Sequence, residues 1–209
     1  MKKWIGRNPL DGIEGKGKRR HGKPQLRIDE ARKWMARAIA LAEAGEPGAV
    51  AAMLALLLGM RASEIVSRVA RDLDDEGRLL WIPETKTEAG RRTLRVPDVF
   101  RPPLRALAEG KGPGALLFSE HWRDWPRQWV RRICRAAGVP LVSAHSMRGL
   151  HSTLAMEAGV TGAVVAASLG HESVTTTVAS YAKPEAVAAA KQQRALTVLD
   201  GGQAAREAS

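Results

Sequence analysis

The sequence predicts a mainly α-helical protein with a small antiparallel three-stranded β-sheet, an α+β fold. Apolar residues recur at helical spacing through most of the chain, whereas short strand-like runs occur only between residues 73 and 96. Asp, Gly and Pro residues that favour turns separate those runs. The 209 residues are 44% hydrophobic and 26% charged, which is typical of a globular protein and excludes a wholly disordered or fibrous chain.

Each element has its own signal. Helical periodicity begins at Asp29, a candidate N-cap, and continues to Gly45. The helix that follows is apolar on all sides, which predicts that it is buried. Strands are expected at Leu73, over 79–82 and over 92–96, with turns at 74–77 and 83–90. The other predicted helices cover residues 47–58, a short stretch from Ala62, 98–109, 125–137, 146–158, 161–169 and 184–199.

Positive charge is concentrated at the N-terminus. The formal net charge is +11, and residues 1–27 supply +7 of it, from nine basic and two acidic side chains. The same stretch is rich in Gly and shows no apolar period, so it is expected to be a flexible basic arm. Such an arm can bind a nucleic-acid backbone by releasing counterions, although it can also serve only as a solvated linker. The candidate DNA-binding residues are Lys16, Lys18, Arg19, Arg20 and Lys23.

Cysteine usage and hydropathy indicate a cellular location. Cys134 is the single cysteine and cannot form an internal disulfide, which indicates a reducing compartment. The longest nearly apolar run, 49–60, is too short to cross a bilayer, and the N-terminus lacks the apolar core of a signal peptide. We therefore expect a cytoplasmic protein without a membrane partner.

The predicted helix over 125–137 has two distinct faces. The apolar face holds Trp122, Trp125, Trp129 and Ile133. The opposite face holds Arg127, Arg131 and Arg135 at four-residue spacing. We expect the tryptophans in the core and the arginines in water, with outer contacts to DNA phosphates as the alternative role of the arginine face.

Several enzyme classes find no support in the sequence. The five histidines have neither a Cys-x-x-Cys partner nor a second histidine four residues away, so a zinc site is not expected. The Gly-rich stretch 110–114 lacks the Lys-Ser/Thr ending of a nucleotide-binding loop. No pair of carboxylates has an evident acid/base setting. We expect neither a metal nor another cofactor.

A few polar residues occupy positions with no obvious structural use. Arg61 follows a buried apolar helix, where it must bind either a ligand or the carbonyls of a helix end. His145 and Arg148 are three residues apart at a helix start and so share one face. His171 follows the helix-stop pattern Leu-Gly, and Tyr181 is the only tyrosine. Lys86 lies in the turn between two predicted strands and, taken alone, is expected to be a solvated lysine.

Together these residues form an ordered set, Arg61, Lys86, His145-x-x-Arg148, His171 and Tyr181. The set resembles the catalytic domain of the tyrosine recombinase (phage integrase) family. The matching stretches are 59–64, 85–87, 95–97, 144–148 and 169–177, followed by Tyr181 and Ala182, and the resemblance covers roughly residues 26–200. Each stretch is a weak signal alone, whereas their ordered conjunction is specific.

The resemblance implies a mechanism of DNA cleavage and rejoining without metal or ATP. Tyr181 would attack the phosphodiester and form a 3′-phosphotyrosyl link, and Lys86 would protonate the departing 5′-oxygen. Arg61 and Arg148 would bind the nonbridging oxygens, with hydrogen bonds from His145 and His171.

The resemblance also implies an organisation and partners. Residues 1–27 would be the basic arm at the end of a missing core-binding domain, 28–200 the catalytic domain and 201–209 a disordered tail. The partner would be double-stranded DNA, on which the chain would assemble as a homo-oligomer (tetramer) through its C-terminal helix. That helix can equally dock on its own domain. The protein would be nucleoid-associated and of bacterial or phage type. A non-catalytic DNA-binding integrase remnant and a type IB topoisomerase-like enzyme are the alternative functions.

Overall fold

A computed structural model describes residues 24–83 and 90–171 of the chain. Several sequence predictions lie outside these residues and are therefore not addressed by the structure. They concern the five basic residues of the arm, Lys86, Tyr181, the helix over 184–199 and the tail over 201–209.

The described residues confirm the predicted fold class. They form seven α-helices and one antiparallel sheet with strand order β1-β2-β3. Short 3₁₀ turns lie at Ala70–Asp72, Asp75–Gly77 and Asp98–Phe100. The elements in chain order are α1 (Ile28–Glu43), α2 (Pro47–Leu57), α3 (Ala62–Val66), β1 (Leu73–Asp74), β2 (Leu79–Ile82), β3 (Arg92–Arg95), α4 (Arg101–Ala108), α5 (Trp125–Ala137), α6 (Ala144–Glu157) and α7 (Gly162–Leu169).

The apolar helix α2 is the centre of the core, as its composition predicts. It packs against α1, α5 and α6, and every residue from Gly48 to Leu56 is buried. The indole of Trp129 on α5 lies directly over Gly48, where a Cβ atom would be 2.0 Å from Trp129 Cε2. The absence of a side chain at Gly48 therefore allows α5 to approach α2 closely.

The sheet places the ends of its longest hairpin beside the helical core. In the antiparallel pair β2–β3, Leu79 lies opposite Arg95 and Ile82 lies opposite Arg92. Leu80, Ile82 and Leu94 are buried, whereas Trp81 points away from the core and is exposed. Arg92 is thus the first residue of β3 and lies opposite the last residue of β2.

Helices α1 and α6 each begin two residues earlier than predicted, and at each start a side-chain oxygen accepts a hydrogen bond from a backbone N–H. The N-cap of α1 is Arg27 rather than Asp29, since Glu30 Oε2 accepts a 2.7 Å hydrogen bond from the Arg27 backbone N–H. Helix α6 begins at Ala144, two residues earlier than predicted. There Ser143 Oγ accepts a 3.1 Å hydrogen bond from the Ser146 N–H.

Trp122 does not lie on the buried face of α5, contrary to prediction. Pro126 in the first turn starts the helix at Trp125, so Trp122 precedes it and is 89% exposed. Trp129 and Ile133 are buried as predicted, and the three arginines of the opposite face are exposed.

The last residues of the predicted arm belong to the folded part of the chain. Leu26 is 1% exposed within the core cluster, and Thr153 Oγ1 on α6 donates a 2.9 Å hydrogen bond to Gln25 Oε1. Gln25 and Leu26 are therefore packed against the helices, and Arg27 is the N-cap of α1, rather than part of an arm. Among the described residues, no helix is long and apolar enough to cross a membrane.

Candidate active site

The C-terminal end of α7 binds three arginines through three consecutive backbone carbonyls. Arg92 Nε donates to the oxygen of Ser168 at 2.7 Å, and Arg148 Nη2 donates to the next carbonyl, Leu169, at 2.7 Å. Arg61 Nη2 donates to the carbonyl of Gly170 at 3.3 Å. The last carbonyls of a helix have no partner within the helix and carry its negative partial charge, so they are natural acceptors for guanidiniums.

The chain turns immediately after these carbonyls and places His171 at the same point. Gly170 ends α7 with φ +65°, and the His171 N–H bonds back to the carbonyl of Ala166 at 3.0 Å. This is the pattern in which glycine closes a helix in the left-handed conformation. The Leu-Gly pair before His171 thus acts as predicted, since it ends the helix and fixes where the imidazole begins.

Glu64 orients two of the arginines. Its carboxylate is 5% exposed and lies 2.7 Å from Arg61 Nη1 and 3.0 Å from Arg92 Nη2. It also accepts a 2.8 Å hydrogen bond from the Arg61 backbone N–H, which starts α3. Burial by itself would raise the pKa of Glu64, but the hydrogen bond and charge of Arg92, together with Arg61, outweigh it and hold that pKa below its ordinary value. Glu64 is therefore a carboxylate at neutral pH.

Arg148 is the most deeply buried arginine of the site. It is 1% exposed, and its guanidinium donates to the carbonyls of Gly59 and Leu169. Its Nη2 also lies 2.8 Å from Nε2 of His171. A guanidinium has no acceptor, so His171 Nε2 must accept this bond, and the proton of a neutral imidazole then lies on Nδ1.

Gly59 is at a position where only glycine fits. Its φ is +60°, and a Cβ atom there would lie 2.5 Å from Leu169 Cδ2 and 2.9 Å from His151 Cδ2. The carbonyl of the same residue accepts from Arg148. The turn between α2 and α3 therefore brings a backbone acceptor to Arg148 and, two residues later, supplies Arg61.

Arg61, His145 and Arg148 line one pocket of about 460 Å³. His145 is exposed, on the first turn of α6, one turn before the buried Arg148. The pocket is also lined by Arg123, Asp124 and Arg127, which lie just before and in the first turn of α5. The structure thus brings Arg61, His145, Arg148 and, through its bond to Arg148, His171 into one neighbourhood; their catalytic roles stay predictions.

Sequence reasoning missed two residues of this site. Glu64 is three residues after Arg61, and this spacing on one helix face was a usable signal. Arg92 gave no local signal, because its partners Glu64 and Ser168 are 28 and 76 residues away in sequence. Among the described residues, no group of three or more His, Cys, Asp or Glu side chains is arranged to hold a metal ion.

Comparison with known proteins identifies the family. The family model described as "Phage integrase family" matches residues 24–186, which is most of the chain. The chain belongs to the phage integrase family. A curated relative, the tyrosine recombinase XerA of Saccharolobus solfataricus, is 27% identical over 124 residues, which are 59% of this chain and 42% of XerA.

Several solved recombinase and integrase structures share the fold at low sequence identity. The crystal structure of XerA recombinase superimposes with a TM-score of 0.68 at 17% identity, over 87% of this chain and 66% of that one. The Tn1549 transposon integrase in complex with transposon right end DNA superimposes with a TM-score of 0.64 at 19% identity, over 91% of this chain and 72% of that one. XerH recombinase bound to difH substrate superimposes with a TM-score of 0.62 at 19% identity, over 75% of this chain and 50% of that one. This chain thus spans less than half of the curated XerA and about two thirds of the solved XerA chain.

His171 should titrate far below an ordinary histidine. Burial lowers its pKa to about 4, with help from the charges of Arg148, Arg61 and Arg92. The imidazole should therefore stay neutral down to about pH 4, as followed by ¹H–¹⁵N NMR of the ring nitrogens, with a His171→Gln variant to assign the signal.

The same protein unfolded in urea is the control, where the pKa should return to about 6.5. Since the folded-state pKa is the lower one, the unfolded chain binds this proton first, and folding stability should fall as the pH drops from about 6.5 towards 4. A folded-state midpoint near 6.5 would contradict the assigned environment.

Proposed function

We propose that this chain is a site-specific DNA recombinase that cleaves and rejoins DNA strands through a covalent 3′-phosphotyrosyl intermediate on Tyr181. The observation that carries the proposal is the convergence of Arg61, Arg148 and His145 on one pocket, with His171 bonded to Arg148. These residues are separated by up to 110 positions in sequence, yet they are the ones that the family resemblance implies. Double-stranded DNA is the proposed substrate, consistent with the DNA complexes of the Tn1549 integrase and XerH.

The pocket supplies the electrostatic part of this chemistry. Attack of the Tyr181 oxygen on phosphorus forms an O–P bond, builds negative charge on the nonbridging oxygens and breaks the bond to the 5′-oxygen. Arg61 and Arg148 would bind those oxygens, where fixed cations in a partly dry site stabilise the transition state. Because Arg148 is already fixed by two backbone carbonyls, little reorganisation is needed when charge develops.

Proton transfers complete the step. The Tyr181 phenol passes its proton to solvent water as it attacks, and the departing 5′-oxygen takes a proton that we assign to the Lys86 ammonium, which is reprotonated from solvent. His171 is neutral at pH 7, because its pKa is about 4, and it would donate a hydrogen bond to a phosphate oxygen through Nδ1. The reverse reaction, with the 5′-hydroxyl of another strand as nucleophile, releases Tyr181 and rejoins the DNA. Both steps exchange one phosphodiester for another, so the proposed reaction needs no ATP. Arg61 and Arg148 would supply the positive charge that a metal ion would otherwise provide.

Assembly as a tetramer on DNA is the second part of the proposal. An apolar groove of about 500 Å³ lies between α1, α2 and α6, and Met35, Leu56 and Leu154 are among the residues that line it. The predicted helix over 184–199 carries apolar residues that suit such a groove, among them Val187 and Leu196. We assign the groove to this segment from a neighbouring copy.

Replacing Tyr181 by Phe should abolish covalent trapping on a nicked suicide DNA substrate and leave DNA binding within about twofold, because only the nucleophile is lost. The adduct is measured as a protein–DNA band on a denaturing gel. Tyr181 is the only tyrosine, so any phosphotyrosine recovered from the wild-type adduct must come from this position.

The same assay in EDTA tests the metal-free mechanism, and adduct formation should be unchanged. An adduct in the Tyr181→Phe variant, or cleavage that requires Mg²⁺, would contradict the mechanism. DNA binding by the wild type with no adduct under any condition would instead identify a non-catalytic DNA-binding integrase remnant.

Replacing Arg148 by Lys should lower the cleavage rate roughly 10²-fold or more, although the charge is retained. An ammonium cannot reproduce a fork that contacts Gly59, Leu169 and His171 together while also meeting phosphate oxygens. The measurement is single-turnover adduct formation, with thermal unfolding to verify folding.

Arg78→Lys is the matched control, because Arg78 is a half-exposed arginine on the sheet side of the molecule and lies outside the pocket. If Arg148→Lys proves unstable, Arg61→Lys gives the same test at a more exposed position. A folded Arg148→Lys or Arg61→Lys variant with nearly wild-type cleavage would overturn the argument from guanidinium geometry.

Ala155→Arg should block assembly on DNA, because the new side chain fills the apolar groove. Complexes of several copies should disappear from a native gel-shift series, whereas the complex with one copy should persist. Ala36→Arg is the matched control, on an exposed position of α1 outside the groove. Equal assembly by the two variants, or a wild type that binds only as single copies, would refute the proposed docking.

A further inference from the structure

The pocket that contains the predicted catalytic residues holds more positive charge than one phosphodiester requires. Its ten lining residues include four arginines, Arg61, Arg123, Arg127 and Arg148, against a single carboxylate, Asp124. Two of the arginines and His145 match the family set, whereas Arg123 and Arg127 match none of the stretches that carry the resemblance. The excess charge is therefore concentrated on the α5 side of the pocket.

The two pairs of arginines differ in how they are held. The guanidinium of Arg148 is bound by backbone carbonyls, and that of Arg61 by Glu64 and a carbonyl, so both are fixed from within the protein. Arg127 instead pairs with Asp124 at 3.3 Å, with the two side chains 52% and 57% exposed. An exposed ion pair contributes little to stability and is readily exchanged for another anion.

Asp124 has no other evident task in this position. It is the N-cap residue of α5, yet its side chain accepts no capping hydrogen bond, and its carboxylate faces Arg127. The pair therefore presents an arginine at the pocket wall that is oriented but still exposed. Arg123, directly before Asp124, is also exposed and lines the same pocket.

We propose that Arg123 and Arg127 form a second phosphate subsite in this pocket, which binds the backbone phosphate next to the scissile one on the same strand. The proposal rests on the proposed function, since it presumes that DNA enters the pocket. Each DNA strand carries one phosphate per roughly 3.4 Å of helix axis, so a strand whose scissile phosphate lies at Arg61 and Arg148 brings its neighbours to the pocket wall. Arg127 and Arg123 act as positioning residues and do not touch the reacting atoms.

The subsite would fix the register of the strand. One phosphate held at a point leaves the backbone free to pivot, whereas two held at adjacent points define the direction of the strand relative to Tyr181. Arginine suits this task because its planar fork can bind two oxygens of one phosphate. Phosphate contacts of this kind position the duplex and carry no direct sequence information.

The test compares Arg127→Ala with Arg131→Ala in the 209-residue chain carrying Tyr181→Phe, so that only noncovalent binding is measured. Arg131 lies one turn further along the same exposed face of α5 and does not line the pocket. Arg127→Ala should weaken DNA binding roughly tenfold at low salt on every sequence tested. It should also reduce the slope of log affinity against log salt by about 0.9, the loss of one phosphate contact. Arg131→Ala should leave both within about twofold of the parent.

A DNA substrate with one neutral methylphosphonate makes the comparison specific to a position. Placed beside the scissile phosphate, it should weaken binding of the parent at least as much as Arg127→Ala does. Its effect should be smaller in the Arg127→Ala variant, where only the Arg123 contact remains to be lost. Arg127→Lys should restore part of the affinity. A methylphosphonate two or more positions further away serves as the control. At that position the loss of affinity from the methylphosphonate and the loss from Arg127→Ala should add.

The outcomes separate this inference from the proposed function. Equal losses for Arg127→Ala and Arg131→Ala, or additive losses at every methylphosphonate position, would overturn the subsite while wild-type adduct formation still supported the recombinase. A loss confined to particular base sequences would overturn it in favour of base contacts by Arg127. Absence of a wild-type adduct together with position-specific Arg127 losses would keep the subsite and reject the chemistry on Tyr181.

Discussion

The burial of permanently charged guanidiniums determines how this site is built. Arginine stays protonated at any physiological pH, so an arginine that is 1% exposed, as Arg148 is, requires acceptors that water would otherwise supply. The C-terminal turn of α7 provides them, because its last carbonyls have no partner within the helix. Arg92, Arg148 and Arg61 each take one of three successive carbonyls there. The helix end and the arginines thus satisfy each other's hydrogen-bonding groups.

This arrangement makes the site depend on elements that are far apart in sequence. Arg61 reaches a carbonyl 109 residues away, and Arg148 reaches the carbonyl of Gly59, 89 residues away. Both bonds require α2, α6 and α7 to meet at one point, and the positive φ of Gly59 allows the close approach. Glu64 adds a second constraint, since its buried carboxylate joins the start of α3 to the first residue of β3. A shift of any of these elements would leave a buried charge without its partner, which costs several kcal/mol.

The sequence was sufficient for the parts of the molecule governed by local patterns. The apolar composition of α2 predicted its burial, and the periodicity over 125–137 predicted α5. The resemblance of the ordered polar residues to the phage integrase family predicted that Arg61, His145, Arg148 and His171 lie close together, as they do. What it could not predict depends on contacts that are distant in sequence: Arg92 is defined by Glu64 and the end of α7, and neither is visible near position 92. For Trp122 the local pattern was misleading. Its spacing extends the apolar face of α5, but Pro126 starts the helix at Trp125, so Trp122 precedes the helix and is exposed.

The pocket arginines differ in solvent exposure, and exposure determines how strongly each can interact with a bound anion. The Arg148 guanidinium is almost dry, so it acts at low local dielectric and is preorganised, which is where an electrostatic contact has its largest effect on a transition state. The Arg61 side chain, 38% exposed, is held on one side by Glu64 and open on the other. The Arg127 side chain, 52% exposed, is paired only with an equally exposed carboxylate, so salt screens it and a phosphate can displace its partner at little cost. In the proposed mechanism, the same type of side chain therefore changes along this gradient from a group that would stabilise reacting charge to one that would locate the substrate. A site that takes an extended polyanion needs both kinds, because a dry cation alone cannot define the direction of the strand that it contacts.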